Sequence, residues 1–340
     1  MDAQAVPLKT TGRRFVRTVR TFAQSENGWK AKLIFAALVL LLLAANALNV
    51  ANSFVGRNFM TAIADRDMYG FVRQALVYVC VFAALTLVAV ISRFGEERLG
   101  LLWRDTMTRG IVRRYLANGN YQTLKTSGAV ANPDQRISED VRAFTVTSLS
   151  FTLMALNSLF TIVAFSEVLW TISPLLFGVA VLYAAGGSLF TFMLGRPLIR
   201  LNYDQLDKEA SFRSELIRVR DNSAAIMAAR DEQSQTAHLM SRLDDVVANF
   251  RKITSINRNV GFFTTGYNWL IQIIPALIIA PAFIQGKIEF GVITQSAIAF
   301  TTLVAAFSLI VTQFQSLSSF AAVAARLSAL AEVVGQQGDP

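Results

Sequence analysis

The sequence has little of the chemistry that builds disulfides or metal sites. Its 340 residues include one cysteine, Cys80, and one histidine, His238. One cysteine cannot form a disulfide within the chain, and a zinc site needs more ligands than these two residues supply. The phosphate-binding pattern Gly-x-x-x-x-Gly-Lys followed by Ser or Thr is absent, as is the nucleophile pattern Gly-x-Ser-x-Gly. We therefore assign no catalytic residue, no metal ligand and no ATP-hydrolysing site to this sequence.

Charged residues are also scarce. Only 16% of the chain is Asp, Glu, Lys or Arg, whereas 53% is hydrophobic and the mean hydropathy is +0.43. A soluble protein has about 25% charged residues. The hydrophobic residues cluster in runs long enough to cross a bilayer. These runs are residues 33–54, 71–91, 144–165, 175–194, 260–283 and 290–311. The pattern predicts an all-α membrane protein with six long transmembrane helices.

The net charge of +9 is unevenly distributed. Most of the 32 Lys and Arg residues lie in residues 1–32, 93–142 and 196–258, and the other connections between apolar runs hold few. This alternation is the positive-inside pattern of membrane proteins and not that of a nucleic-acid surface. We therefore place both termini and the two long connections in the cytoplasm, and we expect the lipid bilayer, but no nucleic acid, as a partner.

Both long connections continue the helical pattern of the runs beside them. Residues 93–116 extend the second run as far as a breaker cluster at residues 118–120. Residues 196–258 contain two apolar stripes at helical spacing, separated by residues 222–233. We predict two helical hairpins that reach into the cytoplasm. The predicted domains are a basic tail at 1–32, a six-helix domain at 33–334 and a polar linker at 335–340.

The turn before the third run has the features of a helix start. Asn132 precedes a proline, which disfavours helical backbone at Asn132 and suits an N-cap. Pro133 then takes the first helical position, where its missing N–H costs nothing. Gln135 lies three residues after the cap and completes a weak capping box. We predict that a helix begins here and runs directly into the third span.

Amide side chains recur inside the apolar runs. Asn46, Asn49 and Asn52 are spaced by three residues in the first run. The other amides of this group are Asn268, Gln272 and Gln295. Amides facing lipid are costly, so these side chains should face protein or water. Two interpretations remain open, which are hydrogen bonds between helices and the lining of a partly polar substrate cavity.

An ordered set of segments resembles one branch of the ABC exporters. The segments are 102–108, 132–140, 195–201, 209–220, 222–232 and 326–327. That branch holds the class D transporters of the peroxisomal acyl-CoA and lysosomal cobalamin types, together with bacterial relatives that carry fused ATPase domains. The SbmA/BacA-like peptide transporters share the fold without an ATPase.

The resemblance implies the ABC exporter type 1 (type IV) fold, in which two copies form a domain-swapped homodimer. It also implies that the hairpin tips contact nucleotide-binding domains, which bind ATP and Mg²⁺. The residues that it places in this coupling surface are Asn132, Asp134, Gln135, Arg136, Asn222, Asp231 and Glu232. Two features depart from the family pattern: Asp231-Glu232 stands where the family commonly has Gly-Glu, and the 340 residues contain no ATPase domain.

These patterns together indicate the permease domain of an ATP-driven transporter. It would move an amphipathic or hydrophobic solute, a small molecule or a peptide, across a bacterial inner membrane by alternating access. The alternative is an ATP-independent, proton-coupled peptide importer of the SbmA/BacA kind. The motor domain would then be absent, whereas in the first interpretation it is truncated or separately encoded.

Overall fold

The structure, a computed structural model, describes residues 22, 24, 28–119, 121–122 and 133–309, and seven further residues up to Leu330. Asn132, most of the predicted basic tail and the 335–340 linker lie outside the described residues. Almost every described residue is helical, as the composition predicted.

The described residues form seven helices. They are α1 (Gly28–Ala64), α2 (Met68–Leu116), α3 (Pro133–Ile172), α4 (Pro174–Asp221), α5 (Ser223–Ala229), α6 (Glu232–Ile284) and α7 (Gly291–Phe307). A short 3₁₀ turn follows α2, and the first part of α3 includes a five-residue π-helical segment.

Five of these helices, α1, α2, α3, α4 and α6, are long and apolar enough to cross a membrane. Their lengths are 37, 49, 40, 48 and 53 residues, and α7 is a shorter apolar helix of 17 residues. A bilayer needs about 20 helical residues, so α2, α4 and α6 extend far beyond its hydrocarbon core. The chain is an integral membrane protein, and the prediction of helices longer than their apolar runs is confirmed.

Tight turns join the helices at one end of the spans. Between α1 and α2, Asp67 caps the next helix by accepting a hydrogen bond from the Tyr69 amide at 3.1 Å. Between α3 and α4 the extended residue Ser173 precedes a proline at the first helical position. Between α6 and α7, Gly286 has a φ of 71°, a backbone conformation that glycine adopts without steric cost. Turn chemistry therefore fixes each of these reversals.

Helix α1 is longer than the apolar run that predicted it, because it continues from residue 54 to Ala64. Small residues keep this polar end packed. Gly56 faces the Tyr78 ring of α2, and a Cβ at this position would lie 3.0 Å from the Tyr78 hydroxyl. Composition located the apolar run, whereas the helix ends ten residues later, at the turn that contains Arg66 with φ 57°.

The unit formed by residues 1–180 and 275–340 has an aromatic centre in its core. Trp103, from the extension of α2, is 6% exposed. Its ring stacks on Phe22 at 5.4 Å between centroids and meets Phe144 of α3 edge-on at 5.8 Å. Leu38 and Leu327 bury their side chains in the same cluster. Trp103 belongs to a motif that suggested the family, and its role here is to anchor the α2 extension to α1 and α3.

The second unit, residues 181–274, consists of parts of α4 and α6 with α5 between them. In the span region, the rings of Tyr183 and Tyr267 stack at 4.2 Å with an interplanar angle of 15°. Each tyrosine hydroxyl donates to the backbone carbonyl of the other residue, at 2.6 and 3.1 Å. Gly187 makes this approach possible, since a Cβ there would collide with the Tyr267 ring. The paired tyrosines therefore fix α4 and α6 side by side.

Candidate substrate and coupling sites

Asn46 is the predicted amide with a defined structural role. It is 4% exposed and lies between α1 and α3. Its Nδ2 donates to Asn157 Oδ1 at 2.9 Å and to the Leu42 carbonyl at 2.9 Å, and its Oδ1 accepts from Thr161 Oγ1 at 2.8 Å. Donor and acceptor are thus both occupied, and two of the three bonds join helices. For Asn46 the structure supports interhelical hydrogen bonding and not a free cavity wall.

The other two amides of α1 have different environments. Asn49 is exposed, and Asn52 is half-buried with a buried Oδ1 that has no hydrogen-bond partner among the described residues. The reason is geometric, because a helix turns about 100° per residue and a three-residue spacing drifts by about 60° at each step. Asn46 and Asn52 are therefore about 120° apart around α1 and contact different surroundings.

The amides of the later helices also differ from one another. Asn268 and Gln272 of α6 are exposed, and neither makes a side-chain hydrogen bond within the described part of the chain. Gln295 of α7 is 1% exposed, and both of its amide atoms lack hydrogen-bond partners among the described residues. Exposed amides are available to a cavity or a partner helix, whereas Gln295 is enclosed by protein.

The turn predicted to take part in coupling, called the coupling turn below, starts α3 at Pro133, as predicted. Gln135 donates its Nε2 forward to Glu139 Oε2 at 3.2 Å, and the predicted capping box with Asn132 stays a prediction. The Ser138 hydroxyl donates back to the Asp134 carbonyl at 2.9 Å. Asp134 and Gln135 are exposed and Arg136 is half-buried. The candidate N-cap Asn132 lies outside the described residues.

A π-helical segment, Arg136–Asp140, interrupts this turn and was not predicted. Such segments insert one extra residue into a helical turn and are frequent at functional sites. Here the segment separates exposed residues, such as Asp134, from Asp140, which is 6% exposed. No periodicity in the sequence signals this change, because a single extra residue leaves the following apolar run intact.

A groove of about 330 Å³ lies beside the coupling turn. Its wall combines one apolar face with charged and hydroxyl groups from the α2 extension and the π-helical segment. The lining residues are Leu101, Arg104, Asp105, Thr108, Ile137 and Ser138. The motif segment 102–108 and the coupling turn therefore share one surface.

The tip of the second hairpin is formed by α5 and its two flanking turns. Asn222 precedes α5, but its side chain donates to the Arg218 carbonyl at 2.9 Å and does not cap α5. Arg230 ends α5 in the left-handed region with φ 50°, and Asp231 donates its backbone N–H to Ile226 at 3.2 Å. The left-handed residue at this tip is thus an arginine, directly before the Asp231-Glu232 pair that replaces the family's Gly-Glu.

A polar network next to this tip joins α4 and α6, which are the two arms of the second hairpin. Glu215 of α4 contacts His238 of α6 at 3.2 Å and accepts from Arg218 at 2.7 Å. Arg218 also donates to Gln235 at 3.3 Å, and Gln235 donates to Asp231 at 2.6 Å. The network therefore connects α4 and α6 to Asp231, one of the predicted coupling residues. His238, the single histidine of the sequence, is exposed on α6.

The carboxyl group of Glu215 is affected by opposing influences. Partial burial raises its pKa, whereas the hydrogen bond from His238 and the charge and hydrogen bond of Arg218 lower it. Their sum holds the pKa of Glu215 below its ordinary value. A lowered pKa keeps the Glu215 carboxylate ionised at neutral pH, where it can link α4 and α6.

A second link between the arms was missed by sequence reasoning. Asn249 of α6 is 5% exposed and donates to the Leu201 carbonyl and to Gln205 Oε1, each at 2.9 Å. Gln205 in turn donates to Glu209 at 3.0 Å. Asn249 interrupts no apolar stripe and lies in a charged stretch, so only its buried position identifies it.

Helices much longer than a bilayer is thick, two of them joined by the described tip at α5, define a polytopic membrane protein with a long helical hairpin outside the hydrocarbon core. The ABC transporter transmembrane region 2 family matches residues 21–284 of the chain. The chain belongs to this family, and it is an ABC transporter membrane domain. This finding agrees with the branch that the ordered motifs suggested.

Curated relatives agree with the assignment. The chain is 39% identical over 324 residues to ABC transporter D family member 2, chloroplastic, of Arabidopsis thaliana, which covers 95% of this chain and 46% of the relative. It is 36% identical over 305 residues to an uncharacterised ABC transporter ATP-binding protein of Synechocystis, and the match covers 89% of this chain and 46% of that protein. It is 24% identical over 239 residues to the human lysosomal cobalamin transporter ABCD4, and the match covers 68% of this chain and 39% of that protein. The chain thus spans about half the length of these relatives.

Proposed function

We propose that this chain is the membrane half of an ATP-driven transporter that moves an amphipathic or hydrophobic solute by alternating access. The observation that carries the proposal is the family assignment over residues 21–284. The Synechocystis relative, matched over 46% of its length, is named an ATP-binding protein. A separate or fused nucleotide-binding domain would bind ATP and Mg²⁺ and supply the energy that this chain's own residues do not supply.

In this proposal two copies of the chain form a homodimer with six spans each, and α7 belongs to the sixth span. The domain covers about residues 33–334, with both termini and the hairpin tips on the side of the nucleotide-binding domains. Asn132, Asp134, Gln135 and Arg136 form one coupling surface, and Asn222, Asp231 and Glu232 form the other. The network through Glu215 supports the second assignment, because it transmits a displacement of Asp231 to both arms.

The solute would pass between the spans, where the exposed amides Asn49, Asn268 and Gln272 are available to it. Asn52 and Gln295 would contribute where the helices separate, whereas Asn46 is already fully hydrogen-bonded within the protein. The membrane is a bacterial inner membrane or one of equivalent origin, since the relatives include cyanobacterial and chloroplastic proteins.

A proton-coupled peptide importer needs an acidic or histidine side chain within the membrane, and the sequence offers little for this role. Residues 33–56, 74–92, 143–166, 168–195, 259–286 and 290–325 contain no Asp, Glu, Lys, Arg or His. Glu167 lies at the edge of a span and is exposed. We therefore favour ATP as the energy source over a transmembrane proton relay.

The experiment that tests this function uses the chain together with the nucleotide-binding domain encoded in frame or in the adjacent gene. Uptake or efflux of amphiphiles is measured in vesicles with ATP, and separately with a proton gradient alone. Transport that needs ATP and is blocked by vanadate supports the proposal. Transport driven by the proton gradient without ATP refutes it. Asn49→Leu and Gln272→Leu should change solute-stimulated ATPase activity more than folding.

A further inference from the structure

The contact between α1 and α7 is closest near the tight turns. Gly291 approaches α1 so closely that a Cβ would collide with the Arg57 carbonyl oxygen. The Gly291 N–H donates to Thr61 Oγ1 at 3.1 Å, and the same hydroxyl lies 3.4 Å from Glu289 Oε2. The two helices are antiparallel here, because α1 ends where α7 begins. Their register is therefore fixed by this junction.

Ser53 and Gln295 lie one helical turn further into the membrane. Four residues back from Arg57 on α1 is Ser53, and four residues on from Gly291 on α7 is Gln295. A turn of helix advances about 5.4 Å on each side, so the two residues lie at the same level. Ser53 is fully buried and Gln295 is 1% exposed.

Several polar atoms at this level lack hydrogen-bond partners within the part of the chain that the structure describes. The Ser53 hydroxyl, both amide atoms of Gln295 and the Oδ1 of Asn52 are buried without hydrogen-bond partners among the described residues. In a bilayer such groups have no water to replace the missing bonds, and an apolar side chain of similar size would pack at lower cost. Asn46, two turns deeper in α1, shows the contrast because each of its amide atoms has partners.

The residues at this level also restrict what they can bind. Residues 33–56 and 290–325 of the sequence include no charged side chain, so these stretches offer no fixed charge to an ionic group. The Gln295 amide offers two donors and an acceptor, and the Ser53 hydroxyl offers one donor and two acceptor sites. Both complement a neutral group that donates and accepts, such as a hydroxyl or an amide.

We propose that Asn52, Ser53 and Gln295 form a recognition site for a neutral hydroxyl or amide group of the transported amphiphile. The site is closed in this structure and becomes accessible when α7 separates from α1 at the Gly291 junction. This inference rests on the proposed transport function, and it names the chemical class of the group that the site recognises. In this proposal the solute supplies the hydrogen-bond partners that these polar atoms lack in the closed state.

The first test measures access to the site with a thiol reagent. Cys80 is exposed and is the only cysteine of these 340 residues, so Cys80→Ala, together with replacement of any cysteine in the nucleotide-binding domain, gives the background for labelling. Ser53→Cys and Gln295→Cys are introduced into the complete transporter in vesicles. A cationic methanethiosulfonate reagent is added with and without ATP plus vanadate. We expect labelling in one nucleotide state only. Phe300→Cys, from a fully buried apolar position on the same helix, is the matched control and should resist labelling in both.

Protection experiments then identify the chemical class. Monodecanoylglycerol is neutral and carries hydroxyls, decanoate is an anion, and decyltrimethylammonium is a cation with the same chain length. We expect monodecanoylglycerol to slow the labelling of both cysteines while the two ions do not. Labelling in neither state overturns the inference. So does stronger protection by an ion than by monodecanoylglycerol, or protection by none of the three.

A second test uses the sign of a stability change. Gln295→Leu and Ser53→Ala remove unsatisfied groups, so thermal stability in detergent should stay constant or rise. Transport per folded molecule should fall about fivefold, because one hydrogen bond to the solute is lost. A lower melting temperature with unchanged specific transport overturns the inference. If wild-type vesicles do not transport with ATP, the proposed function fails, whereas protection by monodecanoylglycerol still reports on the site.

Discussion

Asn46→Leu should destabilise the membrane domain by breaking the connection between α1 and α3. Leucine has the same number and branching of side-chain heavy atoms as asparagine and suits an apolar span, so the change removes hydrogen bonds while nearly keeping the shape of the side chain. Two interhelical bonds disappear, from Asn46 to Asn157 and from Thr161 to Asn46. The bond to the Leu42 carbonyl lies within α1 and contributes nothing to the contact between helices.

The expected loss can be worked out from these two bonds. Hydrogen bonds between transmembrane helices contribute about 0.6 kcal/mol each on average and about 1.7 kcal/mol at most. Two bonds therefore give a loss of about 1–3 kcal/mol in the free energy of unfolding. The Thr161 hydroxyl can recover part of it by donating to a carbonyl of its own helix, as the hydroxyl of Thr152 does at 2.8 Å.

Reversible unfolding of the purified chain in mixed micelles, titrated with a denaturing detergent, measures this loss. Asn49→Leu is the control, because Asn49 is an exposed amide on the same helix and makes no side-chain hydrogen bond among the described residues. A double-mutant cycle with Thr161→Val isolates one of the two bonds, with an expected coupling energy of about 0.6–1.7 kcal/mol. If Asn46→Leu is as stable as Asn49→Leu, the reasoning is refuted.

Three further changes test other contacts. Gly291→Ala should lower the free energy of unfolding by about 1–3 kcal/mol, because its Cβ meets the Arg57 carbonyl and backbone cannot move aside as a side chain can. A thermal melting curve measures this loss, and wild-type stability would contradict the close approach. Gly187→Ala should also lower the free energy of unfolding by about 1–3 kcal/mol, because its Cβ displaces the Tyr267 ring. Unchanged tyrosine fluorescence would argue against this displacement. Glu215 has a lowered pKa in the folded protein, so its contribution to stability is present above its ordinary pKa of about 4.3 and is lost as the pH falls through the lower folded value. Glu215→Gln should therefore accelerate hydrogen exchange at the hairpin tip at neutral pH and flatten its acid dependence, and an equally steep acid dependence would contradict the role of this carboxylate.

The architecture was largely readable from the sequence because bilayer physics constrains it strongly. Runs of apolar residues, basic connections and turn residues are each set by local chemistry, and α2, α3 and α4 follow them closely. The predicted break at residues 222–233 is present as α5 and its flanking turns. What local chemistry did not reveal was the continuation of α1 to Ala64, beyond its apolar run, and the π-helical segment within α3.

The candidate site was less predictable, since hydrogen-bond partners are set by packing. Asn46, Asn49 and Asn52 look equivalent in the sequence, yet one is saturated, one is exposed and one is half-buried. The partners of Asn46 lie 111 and 115 residues away on α3, and no spacing rule connects them. The resemblance to a family located Trp103 without distinguishing coupling from core packing, and its burial against Phe144 assigns it to the core.

The contrast between Asn46 and Gln295 separates two uses of an amide in a membrane protein. Both are almost fully buried within uncharged spans, so burial and composition cannot tell them apart. Their hydrogen bonds can, because an amide whose atoms are all paired stabilises the state in which it is observed. An amide with unpaired atoms raises the energy of that state and therefore favours any state that supplies partners. Removing the first should lower stability, and removing the second should lower transport while stability stays constant or rises. The sign of the stability change thus distinguishes amides that join helices by hydrogen bonds from amides that form hydrogen bonds with the solute.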